Sequence, residues 1–120
     1  MSKKILVVDD EPNIVEVITN RLKANNYEVI VAYDGEQALE LTKREKPDLI
    51  ILDLMLPKLD GYQVCNQLKS EEGFKDIPII MLTSRSQAGD IQKGLEKGAD
   101  AYAAKPFNWE KLAGIISGFL

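Results

Sequence analysis

The stretch Asp48-Leu49-Ile50-Ile51-Leu52-Asp53-Leu54-Met55-Leu56-Pro57 decides the fold. Its four consecutive apolar residues, Leu49 to Leu52, are too few for a useful helix but suit a strand buried on both faces. The run ends on a carboxylate, and a proline follows four residues later. Asp53 therefore sits where a buried parallel strand opens into a loop. In open α/β sheets that carboxyl edge is where ligands bind.

Working outward, short apolar runs alternate with helical periodicity along the chain. Ile5 to Val8 end on Asp9-Asp10-Glu11, and Pro12 suits the first turn of a helix that places Ile14, Val17, Ile18 and Leu22 on one face. Asn25-Asn26 closes it. Tyr27 to Ala32 read as a strand, and Glu28 puts that strand at a sheet edge. Asp34 with Gln37 forms a variant capping box opening a second helix through about Arg44, which Pro47 stops. After the central strand, a helix beginning near Asp60-Gly61 turns Val64, Cys65 and Leu68 inward. Ile79 to Leu82 form a fourth strand ending at Thr83-Ser84. A helix over about 87–97 stops at Gly98, Asp100 to Ala104 make a weak fifth strand, and Asn108 caps a last helix from Trp109. Five strand-helix alternations with short connections imply a parallel sheet with helices on both faces, and one domain over residues 1–120.

Composition narrows the function. The chain is 45% hydrophobic and 28% charged, ordinary for a soluble globular domain, and a net charge of −4 argues against a basic face gripping nucleic acid. One cysteine permits no internal disulfide, and no histidine is present to act as base or metal ligand. No apolar run approaches a secretory core or a membrane span, so a cytoplasmic protein is expected.

Each parallel strand delivers its last residues to one edge: Asp9 and Asp10 from the first, Asp53 from the third, Thr83 from the fourth, Lys105 from the fifth. If the first and third strands are neighbours, three carboxylates converge. Like charges so close raise each other's pKa or hold a cation, and a hard divalent ion of the magnesium type is the simplest resolution. Each residue also has an ordinary reading. Asp9 and Asp10 could cap the following helix, Thr83 and Ser84 could be N-caps, Lys105 a surface lysine and Tyr102 an edge-strand aromatic.

Over its whole length the chain resembles the CheY-like receiver domain of two-component response regulators. The resemblance rests on ILVVDDE (5–11), LIILDLMLPKLDG (49–61), IIMLTS (79–84) and GADAYAAKPF (98–107). It implies a flavodoxin-like, doubly wound (βα)5 sandwich whose five-stranded parallel sheet has the order 2-1-3-4-5. It also implies a phosphorelay role, in which Asp53 accepts a phosphoryl group from the histidine of a sensor kinase to form an aspartyl phosphate. Asp10 would bind Mg2+ with Asp9 beside it, and Asp53 and the Met55 carbonyl would complete the protein ligands. Lys105 would reach the phosphoryl oxygens, oriented by a cis Lys105-Pro106 bond, and Thr83 would donate a hydroxyl hydrogen bond. Tyr102 occupies the aromatic switch position, so the face made by the fourth helix, fifth strand and fifth helix would change shape toward a downstream effector or output domain. The resemblance leaves room for a phosphorylation-dependent dimer, and implies no membrane contact and no enzyme activity beyond the domain's own phosphorylation and dephosphorylation.

Met55 and Arg85 stand at the family positions that tune the hydrolytic water, and neither is an acid or amide, so a long-lived phosphorylated form is expected. A small-molecule aspartyl-phosphate hydrolase would need an acid at Met55, and a nucleotide or flavin site a glycine-rich loop where Asp9-Asp10-Glu11-Pro12 stands. The competing class is a pseudo-receiver that only scaffolds other proteins. Two places look thin. Alanines surround Tyr102 in the fifth strand, and Gly114 and Gly118 predict a frayed or poorly packed last helix.

Overall fold

The computed structural model describes residues 2–83, 99–105 and 108–120. Among these, five strands form one parallel sheet: β1 (Lys4–Val8), β2 (Glu28–Ala32), β3 (Leu49–Asp53), β4 (Ile79–Thr83) and β5 (Ala101–Ala104), in the order β2-β1-β3-β4-β5. The expected order is therefore observed. Four helices are described: α1 (Pro12–Ala24), α2 (Gly35–Glu45), α3 (Gly61–Lys69) and α4 (Trp109–Phe119). The helix expected at 87–97, its Gly98 stop, Ser84, Arg85 and the Lys105-Pro106 bond lie outside the described residues.

Residue alternation along the strands builds two cores. Leu6, Val8, Ile50, Leu52, Ile79 and Met81 point to the side covered by Val64, Cys65 and Leu68 of α3 and Ala38 of α2. Ile5, Val7, Leu49, Ile51, Ile80 and Leu82 point to the other, covered by Ile18 and Leu22 of α1 and Leu112 and Ile116 of α4. β3 and β4 are buried at every position, as strands covered on both faces must be. Each such Leu or Ile contributes about 1.5–3 kcal/mol by leaving water. Burial also pushes the Cys65 thiol up to about 11, which makes it a core residue with no nucleophilic character.

Local chemistry sets the helix ends. Asp34 accepts from the Gln37 N–H at 2.8 Å, but the Gln37 side chain accepts from Tyr33 N–H and not from Asp34, which is why the box is only partial. The complete box is one helix later, where Asp60 and Gln63 exchange both bonds at 2.9 Å. α1 differs from expectation on one residue. Val15, Ile18 and Leu22 form its buried stripe and Ile14 is half-buried, whereas Val17 faces solvent at 48% exposure. The i, i+3, i+7 set wins because it keeps the stripe centred on the sheet. α4 runs unbroken through Gly114 and Gly118, its inward side chains supplying the packing that the glycines do not. No helix among the described residues is long and apolar enough to cross a membrane.

Candidate functional site

Strand register assembles the site. Val8 is level with Leu52, so the next residues, Asp9 and Asp53, emerge side by side. Thr83 is level with Ala104, so Lys105 follows immediately beyond it, and the Lys105 N–H donates to the Thr83 carbonyl at 2.6 Å. Asp9, Asp10 and Asp53 each bring a carboxylate oxygen within 4.8 Å of the other two. The residues that sequence reasoning placed at one edge are thus together.

Lys105 ties the acids to one another. Its Nζ lies 2.8 Å from Asp9 Oδ2, 3.2 Å from Asp53 Oδ1 and 3.8 Å from Glu11 Oε1, and its side chain is only 12% exposed. Asp9 is fully buried and Asp53 nearly so, whereas Asp10 is exposed. The two neighbouring acids therefore differ in setting. Asp9 turns inward, its Oδ1 accepting from the Glu11 N–H at 3.0 Å, while Asp10 faces the open pocket lined by Glu11, Asp53, Met55 and Lys105. Burial raises the Asp53 pKa to about 6, helped by the charge of Asp9 and opposed by Lys105 and the Met55 N–H. For Lys105, burial alone would lower the pKa, but Asp9 and Asp53 outweigh it and hold the ammonium above the ordinary lysine value.

A hard cation fits this donor set. Its ligand atoms are all oxygens, and among the described residues the carboxylates there outnumber the Lys105 ammonium. Asp9 Oδ2 is buried with the Lys105 ammonium 2.8 Å away. Such an arrangement carries surplus negative charge that a divalent ion with oxygen ligands would relieve.

A profile of the response regulator receiver domain matches residues 5–117. The chain belongs to that family. As a receiver domain it is 51% identical over 118 residues to a probable transcriptional regulator, ycf27, of Porphyridium aerugineum, covering 98% of this chain and 48% of that protein. It is 53% identical over 108 residues to the alkaline phosphatase synthesis transcriptional regulatory protein PhoP of Bacillus subtilis, covering 90% of this chain and 44% of that one. The chain thus spans about half the length of the curated relatives it matches. Among solved structures, the receiver domain of the sensor histidine kinase PA1611 from Pseudomonas aeruginosa superposes with a TM-score of 0.91 at 34% identity, covering 99% of this chain and 98% of that one. That structure has a magnesium ion coordinated in its active site cleft.

The remaining expected residues fall around the cluster. Thr83 is buried at the end of β4. Tyr102, half-buried on β5, packs against the core beside α3 and lines a groove of about 250 Å³ with Asn108, Lys111 and Leu112. Met55 is the most exposed large apolar residue described, at 71%. Sequence reasoning passed over Glu11 as a partner of Lys105, although the third acid of the Asp9-Asp10-Glu11 run was there to signal it. It also passed over Asp100, which accepts from Lys69 Nζ and from the Ile79 N–H at 2.8 Å each and so ties α3 to the start of β4.

Proposed function

We propose that this receiver domain is a phosphoacceptor working in the cytoplasm, with Asp53 as the acceptor. The observation that carries the reading is the Lys105 ammonium bridging Asp9 and Asp53 at the carboxyl edge of the sheet. A carboxylate oxygen of Asp53 attacks phosphorus on a kinase phosphohistidine; the O–P bond forms as the P–N bond breaks, and the electron pair leaves on the imidazole nitrogen. Among the described residues, the Met55 N–H and the Lys105 ammonium both meet Asp53 Oδ1. With a pKa of about 6 the group is ionised at neutral pH and needs no separate base, in a chain that has no histidine to offer one.

Asp9, Asp10, Asp53 and the Met55 carbonyl would hold Mg2+, which when bound neutralises charge gathering on the transferred oxygens. Lys105 moves its ammonium from the Asp53 carboxylate onto the phosphoryl group. Thr83 donates its hydroxyl to the same group, and Tyr102 responds by turning further into the fold. The changed surface, from β5 to α4, meets the effector or output domain. Couplings of this kind are worth about 1–3 kcal/mol, enough to shift populations. The sensor histidine kinase is the donor, and the only chemistry catalysed is the domain's own phosphorylation and dephosphorylation. With Met55 in place of a water-orienting group the aspartyl phosphate is long-lived, a view that loss of the phosphate within seconds at room temperature would overturn.

Incubation with acetyl phosphate and Mg2+, followed by intact-mass measurement, tests the reading. Wild type is expected to gain the mass of one phosphoryl group and Asp53→Asn none. No gain in either protein would favour a scaffold that is not phosphorylated.

A further inference from the structure

The loop between β3 and α3 brings Met55 into the acidic pocket, and it rests on the first turn of α2. Gly35, the first residue of α2, is buried there, and its N–H donates to the Pro57 carbonyl at 3.5 Å. A methyl group on Gly35 would strike the Leu59 carbonyl oxygen and lie 2.6 Å from the Leu59 Cβ. Those are atoms at or next to the backbone, so no rotamer change could make room. Between them Lys58 adopts a φ of 69°, a left-handed conformation that costs a non-glycine residue on the order of 1 kcal/mol or more. Its ammonium lies 3.8 Å from Asp34 and 3.6 Å from Glu36, the two residues flanking Gly35.

The near end of the loop is fixed as well. The Leu54 N–H donates to the Leu82 carbonyl and the Leu54 carbonyl accepts from the Gly61 N–H, both at 2.9 Å. Between these anchors only Met55 and Leu56 remain, and the Met55 N–H donates to Asp53 Oδ1 at 3.4 Å. A displacement at Pro57 to Leu59 is therefore shared between those two residues on one side and Asp60 on the other.

We propose that Gly35 is a positioning residue for the acidic site: by admitting the Leu59 backbone onto α2, it sets where the Met55 main chain meets Asp53 and so tunes affinity for the divalent cation. This rests on the phosphoacceptor reading of the acids. Gly35→Ala is expected to weaken Mg2+ binding about tenfold, the low end of what disturbing the support of metal ligands costs. Amide chemical-shift titration reads this directly, with differences from wild type concentrated at 54–60. Gly114→Ala, where an added Cβ meets nothing within 4 Å, serves as the control and keeps wild-type affinity. A lowered Tm with unchanged Mg2+ affinity in folded Gly35→Ala would mean a merely structural glycine and overturn the proposal. Should that variant not fold, Lys58 carries the test from the exposed side of the loop. Lys58→Val forces a β-branched residue into positive φ and should weaken Mg2+ binding several-fold, while Lys58→Gly is at ease there and should not. Equal affinities for the two would sink it. If wild type binds no Mg2+, or Asp53→Asn binds it equally well, the acidic-site reading itself falls, a result distinct from failure at Gly35 alone.

Discussion

Asp53 carries a cost that its own environment reveals. Its pKa of about 6 stands above the 3.8 of an ordinary aspartate because burial and the neighbouring Asp9 disfavour the ionised form more than Lys105 favours it. The folded state therefore holds the proton more tightly than the unfolded chain does. Stability contributed by this group is complete below the unfolded value and is lost as pH rises through the folded one. In chelator, Asp53→Asn is accordingly expected to be more stable than wild type at pH 7, by roughly 1–3 kcal/mol. The advantage should shrink as pH falls from 6 toward 4. Urea melts of both proteins across that range check it, and a wild type more stable than Asp53→Asn at pH 7 would refute it. The acids and Lys105 were legible in the sequence because parallel strands deliver their last residues to one edge. The division of labour between Asp9 and Asp10 was not. Adjacent residues point to opposite sides, and which side is buried depends on Lys105, which arrives from a strand ninety-odd residues away.

Elements show where local signals suffice and where they do not. β3 and β4 announce themselves as unbroken apolar runs, and Asn108 caps α4 through the Lys111 N–H as its position suggests. Val17 misled because it satisfies helical spacing as well as Val15 does, and only the sheet beneath α1 chooses between them. Glycines mislead in the same way, since sequence cannot tell an empty position from a tight one. Gly114 has open space around it, so Gly114→Ala should stabilise α4 by about 0.5–1 kcal/mol through helix propensity. Gly61 also begins or lies in a helix, yet a Cβ there would sit 2.7 Å from the Asp53 carbonyl oxygen and 2.9 Å from the Leu54 Cα. Gly61→Ala should therefore destabilise by about 1–3 kcal/mol, the usual cost of overpacking. Thermal melts of the pair must move in opposite directions, and a common sign would show that propensity outweighs contact at both.

At the scale of the whole molecule, the acidic site is made by the fold and by nothing smaller. Asp9 and Asp10 follow β1, Asp53 ends β3, and Lys105 follows β5, so these groups share a pocket only while both layers of core hold the sheet together. The unfolded chain scatters those groups and has no comparable site. Mg2+ binding must then stabilise the fold by mass action, by about 2.7 kcal/mol when free Mg2+ is one hundred times its Kd. The Kd comes from a titration of folded protein and the stabilisation from urea melts with and without Mg2+, two independent measurements that the relation must reconcile. Asp10→Asn separates binding from folding, because Asp10 is exposed and its loss should change metal-free stability by less than about 0.5 kcal/mol. The same variant should lose most of the Mg2+-dependent gain. Stabilisation equal in wild type and Asp10→Asn would place the cation elsewhere on this acidic chain, and a titrated Kd with no accompanying rise in stability would mean that the unfolded chain binds Mg2+ as well as the fold does.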